Sequence, residues 1–379
     1  MPTDPRPRAR DLLALPGRPG PHNAITDVPG VTVGLETLVS GTSVRTGVTA
    51  ILPRGRDGVG EPCAAASYSL NGNGELTGTT WIEESGALTM PVLISNTHAV
   101  GACHTGTVEW VNEVHPQLAA QWLLPVCGET WDGYLNDING GHVRPEHARA
   151  ALDAATAGPV PEGSVGGGTG MNCYAFKGGT GTSSREVEFA GTTYTLGVLV
   201  QANFGDRREL VVAGTPIGQA LGDDNPMEDS AWFVRDLGAA APAVAGRLPG
   251  GAGSVIVVVA TDAPMLPHQC KALARRVPLG LARTGTAGGH FSGDIFLAFS
   301  TAPAPGLRSQ MHPAPTELAE QQVLPWGAID PFYTAVVEAV EESVLNALVV
   351  NQEMVGRDGH RTPALPHAAL ADLPAAVRA

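Results

Sequence analysis

The sequence has five cysteines, two lysines and no long hydrophobic run. The cysteines are widely spaced, odd in number and without a CxxC pair, which argues against a disulfide framework and favours reduced thiols. No apolar stretch approaches the roughly 18 residues of a transmembrane helix, and the apolar residues 12–15 are too few for the core of a signal peptide. These absences predict a soluble, cytoplasmic protein.

Patterns typical of metal, nucleotide and nucleic-acid sites are also missing. The 11 histidines form no HxH or HExxH motif, so we expect no metal. Residues 166–170 are rich in glycine but lack the Gly-Lys-Ser/Thr end of a P-loop and the spacing of a dinucleotide fingerprint, so no cofactor is predicted. The formal net charge of −14 disfavours nucleic acid and anionic membranes as partners. The class of chemistry that remains after these exclusions is acyl transfer through a serine side chain.

The 379 residues are 43% hydrophobic, and 48 glycines and 31 prolines lie between the apolar runs. Runs rich in β-branched residues predict strands at 31–38, 48–52, 92–95, 194–204, 255–260 and 295–300. Helical spacing predicts helices at 107–122, 146–157, 265–276 and from residue 330 onward. Pro116 should kink the first of these, and Asp330 should be the N-cap of the last. Strands and helices alternate, which predicts a layered α/β sandwich.

Two glycine-containing stretches are expected to be irregular: a glycine-dense loop at 158–182 and an exposed connection at 222–253. The second leads through Gly250, Gly251 and Gly253 to Ser254, directly before the apolar run 255–260. Glycine tolerates backbone angles that other residues avoid, so the peptide before Ser254 could be bent for attack by the serine hydroxyl. An ordinary loop before a core strand is the alternative on these residues alone.

Scission at that peptide would leave Ser254 as a new N-terminus. The residue would then carry a hydroxyl nucleophile and an α-amine whose ordinary pKa, about 7.7–8.0, suits a base near neutral pH. Ser292 and Asp294 stand two residues apart at the start of a predicted strand, so both could face one site, or they could cap a turn. Asn203, at the end of an apolar run, could donate to an oxyanion or form a turn.

A second candidate group is an acid beside a bulky ring. Glu129 and Trp131 lie in the sequence Glu-Thr-Trp-Asp-Gly, an arrangement that could bind an ammonium group. A solvated loop is the alternative.

Several longer motifs then form one ordered pattern, at 20–31, 73–81, 94–98, 135–140, 166–185, 253–254 with 260–264, and 292–296. Through them nearly the whole chain resembles the DmpA-like L-aminopeptidase/D-esterase and β-peptidyl aminopeptidase family. The resemblance implies one domain over 1–379 that cuts itself into fragments 1–253 and 254–379. It also implies a four-layer αββα sandwich, similar to the N-terminal-nucleophile hydrolases but with different connectivity. Assembly into a tetramer of heterodimers is expected.

The activity implied is removal of N-terminal residues from short peptides, amides and esters, with D- or β-amino acids among the substrates of some members. By position in the motifs, Ser254 corresponds to the nucleophile, with autocleavage between Gly253 and Ser254. Ser292 and Asp294 correspond to a serine–acid pair, in which Asp294 is one methylene shorter than the family's glutamate. Asn203 corresponds to the oxyanion-hole asparagine.

The remaining two residues correspond to substrate-binding positions. Glu129 matches the carboxylate that holds the free amine of the substrate, and the bulk of Trp131 should narrow the side-chain pocket. Two alternatives stay open: an acyltransferase like the ornithine acetyltransferases, which use a threonine nucleophile, and a non-catalytic ligand-binding protein.

Overall fold

The computed structural model describes residues 6–237, 253–309, 311, 316–371, 373–374 and 377–378. Its strands are β1 (Thr32–Ser40), β2 (Val44–Leu52), β3 (Cys63–Ser69), β4 (Ala87–Leu88), β5 (Val92–Asn96), β6 (Val126–Thr130), β7 (Asn172–Cys173), β8 (Phe176–Lys177), β9 (Gly179–Phe189), β10 (Thr192–Asn203), β11 (Gly253–Thr261), β12 (Ser292–Ser300), β13 (Met354–Val355) and β14 (Arg361–Thr362). Its helices are α1 (Ala9–Leu12), α2 (Thr79–Ser85), α3 (Val100–Val114), α4 (Pro145–Asp153), α5 (Ser230–Leu237), α6 (Pro267–Ala274), α7 (Val277–Arg283), α8 (Asp330–Val349) and α9 (Ala368–Ala371). Within these ranges no helix is both long and apolar enough to span a bilayer.

Two larger sheets form the centre of the fold. One has the strand order β1-β2-β5-β6 and the other β4-β3-β12-β11-β10-β9. The pairs β5–β6 and β11–β12 are parallel, and the other neighbours in these sheets are antiparallel. Strand β11 therefore lies in the interior of the six-stranded sheet, hydrogen-bonded on both sides.

The pleat of β11 shows why the fold has four layers. Val255 and Val257 point to a core cluster shared with α6, α7 and α8, whereas Ile256 and Val258 point to a cluster between the two sheets. A third cluster packs α3 and α4 on the outer face of the four-stranded sheet. Each fully buried side chain of this kind contributes about 1.5–3 kcal/mol. The layers run helix, sheet, sheet, helix, which confirms the predicted sandwich.

The predicted strands are confirmed by β1, β2, β5, β10, β11 and β12, whereas the predicted helices differ in their ends: α4 ends at Asp153 and not at 157, and α6 spans only Pro267–Ala274. Helix α3 begins at Val100, before the predicted start at 107, and ends before Pro116, where a short 3-10 turn replaces it. Helix α8 begins at Asp330 itself, its N-cap is Ile329, and no side chain caps it, so the N-cap prediction was wrong.

The two stretches expected to be irregular contain regular structure. Strands β7 and β8 and the first part of β9 lie within 158–182, and a Cβ added to Gly181 would sit 1.9 Å from the carbonyl oxygen of Ser343 in α8. Glycine is thus needed because the helix approaches the strand closely. Within 222–253, α5 is helical with Trp232 buried, while residues 238–252 lie outside the described residues.

A buried ionic cluster fixes the N-terminal segment and β9 to α8. The Glu342 carboxylate lies 2.8 Å from Arg10 Nε, 2.8 Å from Arg185 Nη2 and 2.5 Å from the donating side-chain amide of Asn23. Glu342 and Arg185 are both almost fully buried. The cluster joins residues before position 253 to a helix after it.

We expect Glu342→Ala to lower the free energy of unfolding by about 3–5 kcal/mol, because it leaves the buried Arg185 guanidinium without its closest carboxylate. The urea midpoint, followed by tryptophan fluorescence, measures the change. Glu338→Ala is the matched control: its carboxylate is 3.4 Å from Arg185 Nε and 15% exposed, so its loss should cost less. Equal midpoints for Glu342→Ala and wild type would contradict the assignment.

Candidate active site

Ser254 is the second residue of β11. At this level of the six-stranded sheet β11 and β12 begin and β10 ends. Asn203, the last residue of β10, is its antiparallel partner, and Gly293 of β12 is its partner on the other side. The side chain is buried, and its Oγ accepts a hydrogen bond from the backbone N–H of Trp131 at 3.2 Å. The residue predicted as nucleophile thus lies near the N-terminal end of an interior strand. Its hydroxyl faces the segment that follows β6 of the four-stranded sheet.

Gly253 directly precedes Ser254 as the first residue of β11. A Cβ at this position would sit 2.1 Å from the carbonyl oxygen of Asn203, so a side chain has no space. In the structure the glycine is an extended strand residue, and close approach to β10 explains it better than unusual backbone angles. Gly250, Gly251 and residue 252, on which the sequence argument also drew, lie outside the described residues.

The side chain of Asn203 is held at both ends of its amide. Its Nδ2 donates to the carbonyl oxygen of Trp131 at 2.9 Å, and its Oδ1 accepts from the backbone N–H of Asn172 at 2.9 Å. Directly opposed residues on antiparallel strands have Cβ atoms about 4.5–5.5 Å apart, so the amide lies beside Ser254. A primary amide has two N–H donors, and the second remains to bind a developing oxyanion. Both partners are distant in sequence, unlike those of a turn-forming asparagine.

Ser292 and Asp294 form a hydrogen-bonded pair at the start of β12, where the Ser292 hydroxyl donates to Asp294 Oδ1. Both are buried, and burial raises the pKa of the Asp294 carboxyl while the hydrogen bond from Ser292 lowers it. In the parallel register Ser292 is paired with Gly253 and Asp294 with Val255. The pleat therefore directs the pair to the side opposite the Ser254 hydroxyl, beside the backbone of the Gly253–Ser254 peptide.

Glu129 lies near the end of β6 and is almost fully buried, so the solvated-loop alternative is wrong. Its Oε1 accepts from the backbone N–H of Glu75 at 3.1 Å, and its Oε2 accepts from the hydroxyl of Thr97. Burial raises the pKa of Glu129, and these hydrogen bonds lower it. Within the described part of the chain Glu129 forms no ion pair, and a buried carboxylate of this kind is suited to bind a cation supplied by a ligand.

The glycine at position 74 sets the separation between Glu129 and the start of β12. A Cβ on Gly74 would lie 3.0 Å from Glu129 Oε1 and 3.1 Å from the Cα of Gly293, the register partner of Ser254. The carboxylate and the start of β12, whose Gly293 is paired with Ser254, are therefore separated by little more than one glycine backbone.

Trp131 serves the site through its backbone, because its N–H contacts Ser254 and its carbonyl contacts Asn203. Its half-buried ring lies over Gly133 and packs against the cluster of Tyr134, Leu135 and Trp232. The predicted effect of this ring on the side-chain pocket stays a prediction.

Sequence reasoning missed the residues that hold the predicted ones in place: Asn71, Thr97 and Asn172. Each contacts a site residue far away in sequence, and only the fold brings them together. The asparagines and glycines at 71–74 are a turn-like signal that could have drawn attention to this segment. Among the described residues no group of three or more His, Cys, Asp or Glu side chains could hold a metal ion.

Comparison with known proteins agrees with this geometry. The sequence matches peptidase family S58 over residues 23–362. It is 47% identical over 373 residues to the β-peptidyl aminopeptidase BapA of Sphingosinicella microcystinivorans, covering 96% of this chain and 91% of that protein. The corresponding protein of Sphingosinicella xenopeptidilytica is 42% identical over 380 residues, with coverage of 96% and 90%.

Solved structures show the same fold. The L-aminopeptidase D-Ala-esterase/amidase from Ochrobactrum anthropi, described as a prototype of the serine aminopeptidases and a new variant of the Ntn hydrolase fold, superposes with a TM-score of 0.84 at 42% identity, covering 97% of each chain. A β-aminopeptidase from a Burkholderia species gives a TM-score of 0.84 at 42% identity, with coverage of 95% and 96%. The chain therefore belongs to peptidase family S58.

Proposed function

We propose that this protein is an aminopeptidase that cuts itself before Ser254 and then hydrolyses N-terminal residues from short peptides, amides and esters. The observation that carries the proposal is the position of the Ser254 hydroxyl: it lies at the strand end between the amide of Asn203 and the Trp131 backbone, with the buried Glu129 carboxylate nearby. Membership of a peptidase family disfavours both alternatives, the acyltransferase and the non-catalytic binder.

Self-cleavage begins with attack of Ser254 Oγ on the carbonyl carbon of Gly253. The hydroxyl proton passes to the amide nitrogen of Ser254, the peptide C–N bond breaks, and an ester joins the two fragments. Water then hydrolyses this ester, leaving a carboxylate on Gly253 and a free α-amine and hydroxyl on Ser254. The Ser292–Asp294 pair lies beside this peptide and supplies a route for its protons.

Hydrolysis of substrate uses the same hydroxyl with the new α-amine as base. The amine accepts the proton of Oγ, which attacks the acyl carbon of the substrate, and the free N–H of Asn203 stabilises the resulting oxyanion. The proton then passes to the leaving amine, and water releases the acyl group from the serine. Glu129 binds the ammonium group of the substrate, which selects for a free N-terminus.

The remaining parts of the proposal concern assembly and location. Residues 1–379 act as one domain, processed into fragments 1–253 and 254–379, which assemble as a tetramer of heterodimers. The two strands of the second fragment, β11 and β12, lie between β3 and β10 of the first fragment in one sheet, which supports lasting association. The five free, buried cysteines support a cytoplasmic location. Relatives named β-peptidyl aminopeptidases support substrates that include β-amino acids.

We expect purified protein to give two bands on denaturing electrophoresis in place of one at 39.0 kDa. Intact-mass analysis should assign them to 1–253 and 254–379, with serine as the new N-terminal residue. A panel of chromogenic L-, D- and β-amino-acid amides would identify the substrates. A full-length chain that hydrolyses these amides at full rate would overturn the proposal.

A further inference from the structure

Asp294 is held by a side chain that has no part in the steps above. Asn71 accepts a hydrogen bond from the backbone N–H of Asp294 at 2.6 Å through its Oδ1 and donates to Asp294 Oδ2 at 3.0 Å through its Nδ2. The same Nδ2 donates to the carbonyl oxygen of Gly289 at 3.1 Å, and the backbone N–H of Leu70 donates to the carbonyl oxygen of Asp294 at 2.9 Å. The side-chain amide of Asn71 is therefore held by two hydrogen bonds to Asp294 and one to Gly289.

These contacts fix the plane of the carboxylate. The terminal torsion of an aspartate is soft, and a single hydrogen bond from Ser292 would leave the group free to rotate. With Ser292 on Oδ1 and Asn71 on Oδ2, both oxygens are bound, and the group stays in one plane. Because the Ser292 hydroxyl donates its hydrogen bond to Asp294, the lone pairs of the Ser292 oxygen point away from the carboxylate.

We propose that Asn71 is a positioning residue for the reaction: it orients the Asp294 carboxylate so that Ser292 can exchange protons with the nitrogen of Ser254. This inference rests on the proposed function. Asn71 acts through Asp294 and touches neither the scissile peptide nor a reacting atom.

Among the described residues, the contacts that bear on the ionisation of Asp294 are hydrogen bonds from uncharged groups, so its ionisation can be tested directly. The carboxylate of Asp294 is approached by the Val255 backbone of β11 and by the Ser292 hydroxyl of β12. On the segment before β12, a Cβ added to Gly288 would lie 3.8 Å from Asp294 Oδ2. Titratable side chains on neighbouring segments include His290, which is exposed and edge-on to Phe291, Glu129, on the far side of Gly74, and Glu209, which accepts from the backbone N–H of Ala287.

The test compares Asn71→Asp and Asn71→Ala with Asn73→Ala. Asn73 lies on the same segment but donates to the carbonyl oxygen of Phe291, away from the carboxylate. Asn71→Asp places a second carboxylate beside Asp294, and two adjacent carboxylates cannot easily ionise together. We expect the acidic limb of kcat/KM to move upward by about one pH unit in Asn71→Asp, with self-cleavage at pH 6 slowed about tenfold.

Asn71→Ala should lower kcat about 10- to 100-fold with little change in KM, because orientation and not binding is lost. Asn73→Ala should match wild type in both respects. Variants of Asn71 with the pH profile and kcat of Asn73→Ala would overturn this inference and leave the proposed function intact. Wild-type protein without self-cleavage or hydrolysis would overturn both.

Discussion

Ser254→Ala is expected to accumulate as one uncleaved chain of 39.0 kDa without hydrolytic activity. Alanine removes the Oγ that attacks the Gly253 carbonyl, so the α-amine is never released and no acyl-enzyme can form. We expect hydrolysis to fall by about 10⁴-fold or more, as for other enzymes that lose their nucleophile. Electrophoresis, intact mass and amide hydrolysis measure the three consequences together.

Ser254→Cys is the matched control, since a thiol can attack the same carbonyl and form a thioester. It should retain measurable self-cleavage, which shows that the site tolerates substitution. Among the residues that the structure describes, the Ser254 hydroxyl accepts one long hydrogen bond, 3.2 Å from Trp131 N, so its removal should not unfold the protein. A processed and active alanine variant would refute the assignment of the nucleophile.

Glu129→Gln should lose the preference for substrates with a free N-terminal amine. The buried carboxylate is the partner proposed for the substrate ammonium group, and a charge-assisted hydrogen bond of this kind is worth about 1.5–3 kcal/mol. We expect kcat/KM for amino-acid amides to fall about 10- to 100-fold, while N-acetylated analogues are unaffected. The ratio of the two rates is the measurement.

The pH dependence gives a second readout for Glu129. Because burial raises its pKa, the carboxyl loses its charge at a higher pH than an exposed glutamate, and binding of the ammonium group weakens as pH falls through that value. Glu129→Gln should lose this contribution to the acidic limb of kcat/KM, while the contribution of Asp294 remains. Glu75→Gln is the control: it keeps the backbone N–H that contacts Glu129 and removes an exposed charge that raises the pKa of Glu129, so its acidic limb should persist and shift slightly downward. Unchanged discrimination in Glu129→Gln would count against the role.

Sequence patterns predicted the strands that form the site because runs of β-branched residues are directly visible in the chain. They also located Ser254, since a serine between glycines and an apolar run is a local feature. The pairing of Asn203 with Ser254 is a different matter, because it depends on the register of β10 against β11. The family resemblance supplied the role of Asn203. The local sequence around Asn203 was also compatible with a turn-forming asparagine.

The features that were missed depend on tertiary contact. Glycines in 158–182 indicated a loop because glycine is poor in strands, yet α8 approaches Gly181 so closely that only glycine fits. Asn71 carried no chemical signal of its own and gained meaning only from its contacts with Asp294. The direction of the Ser292–Asp294 pair, away from the Ser254 hydroxyl, likewise required the pleat of β12.

The order β3-β12-β11-β10 has a consequence for when the chain can be cut. Two of these neighbours are encoded upstream of the Gly253–Ser254 bond and two downstream, and the downstream pair, β12 and β11, lies between the upstream strands β3 and β10. A gene divided at this point would yield two polypeptides, each missing ladder partners that the other provides. If the chain cuts itself as proposed, we expect the native sheet to form first and backbone scission to follow as a late maturation step. After scission, the hydrogen bonds between β11 and β10 and between β12 and β3 would hold the two fragments together in place of the lost peptide bond.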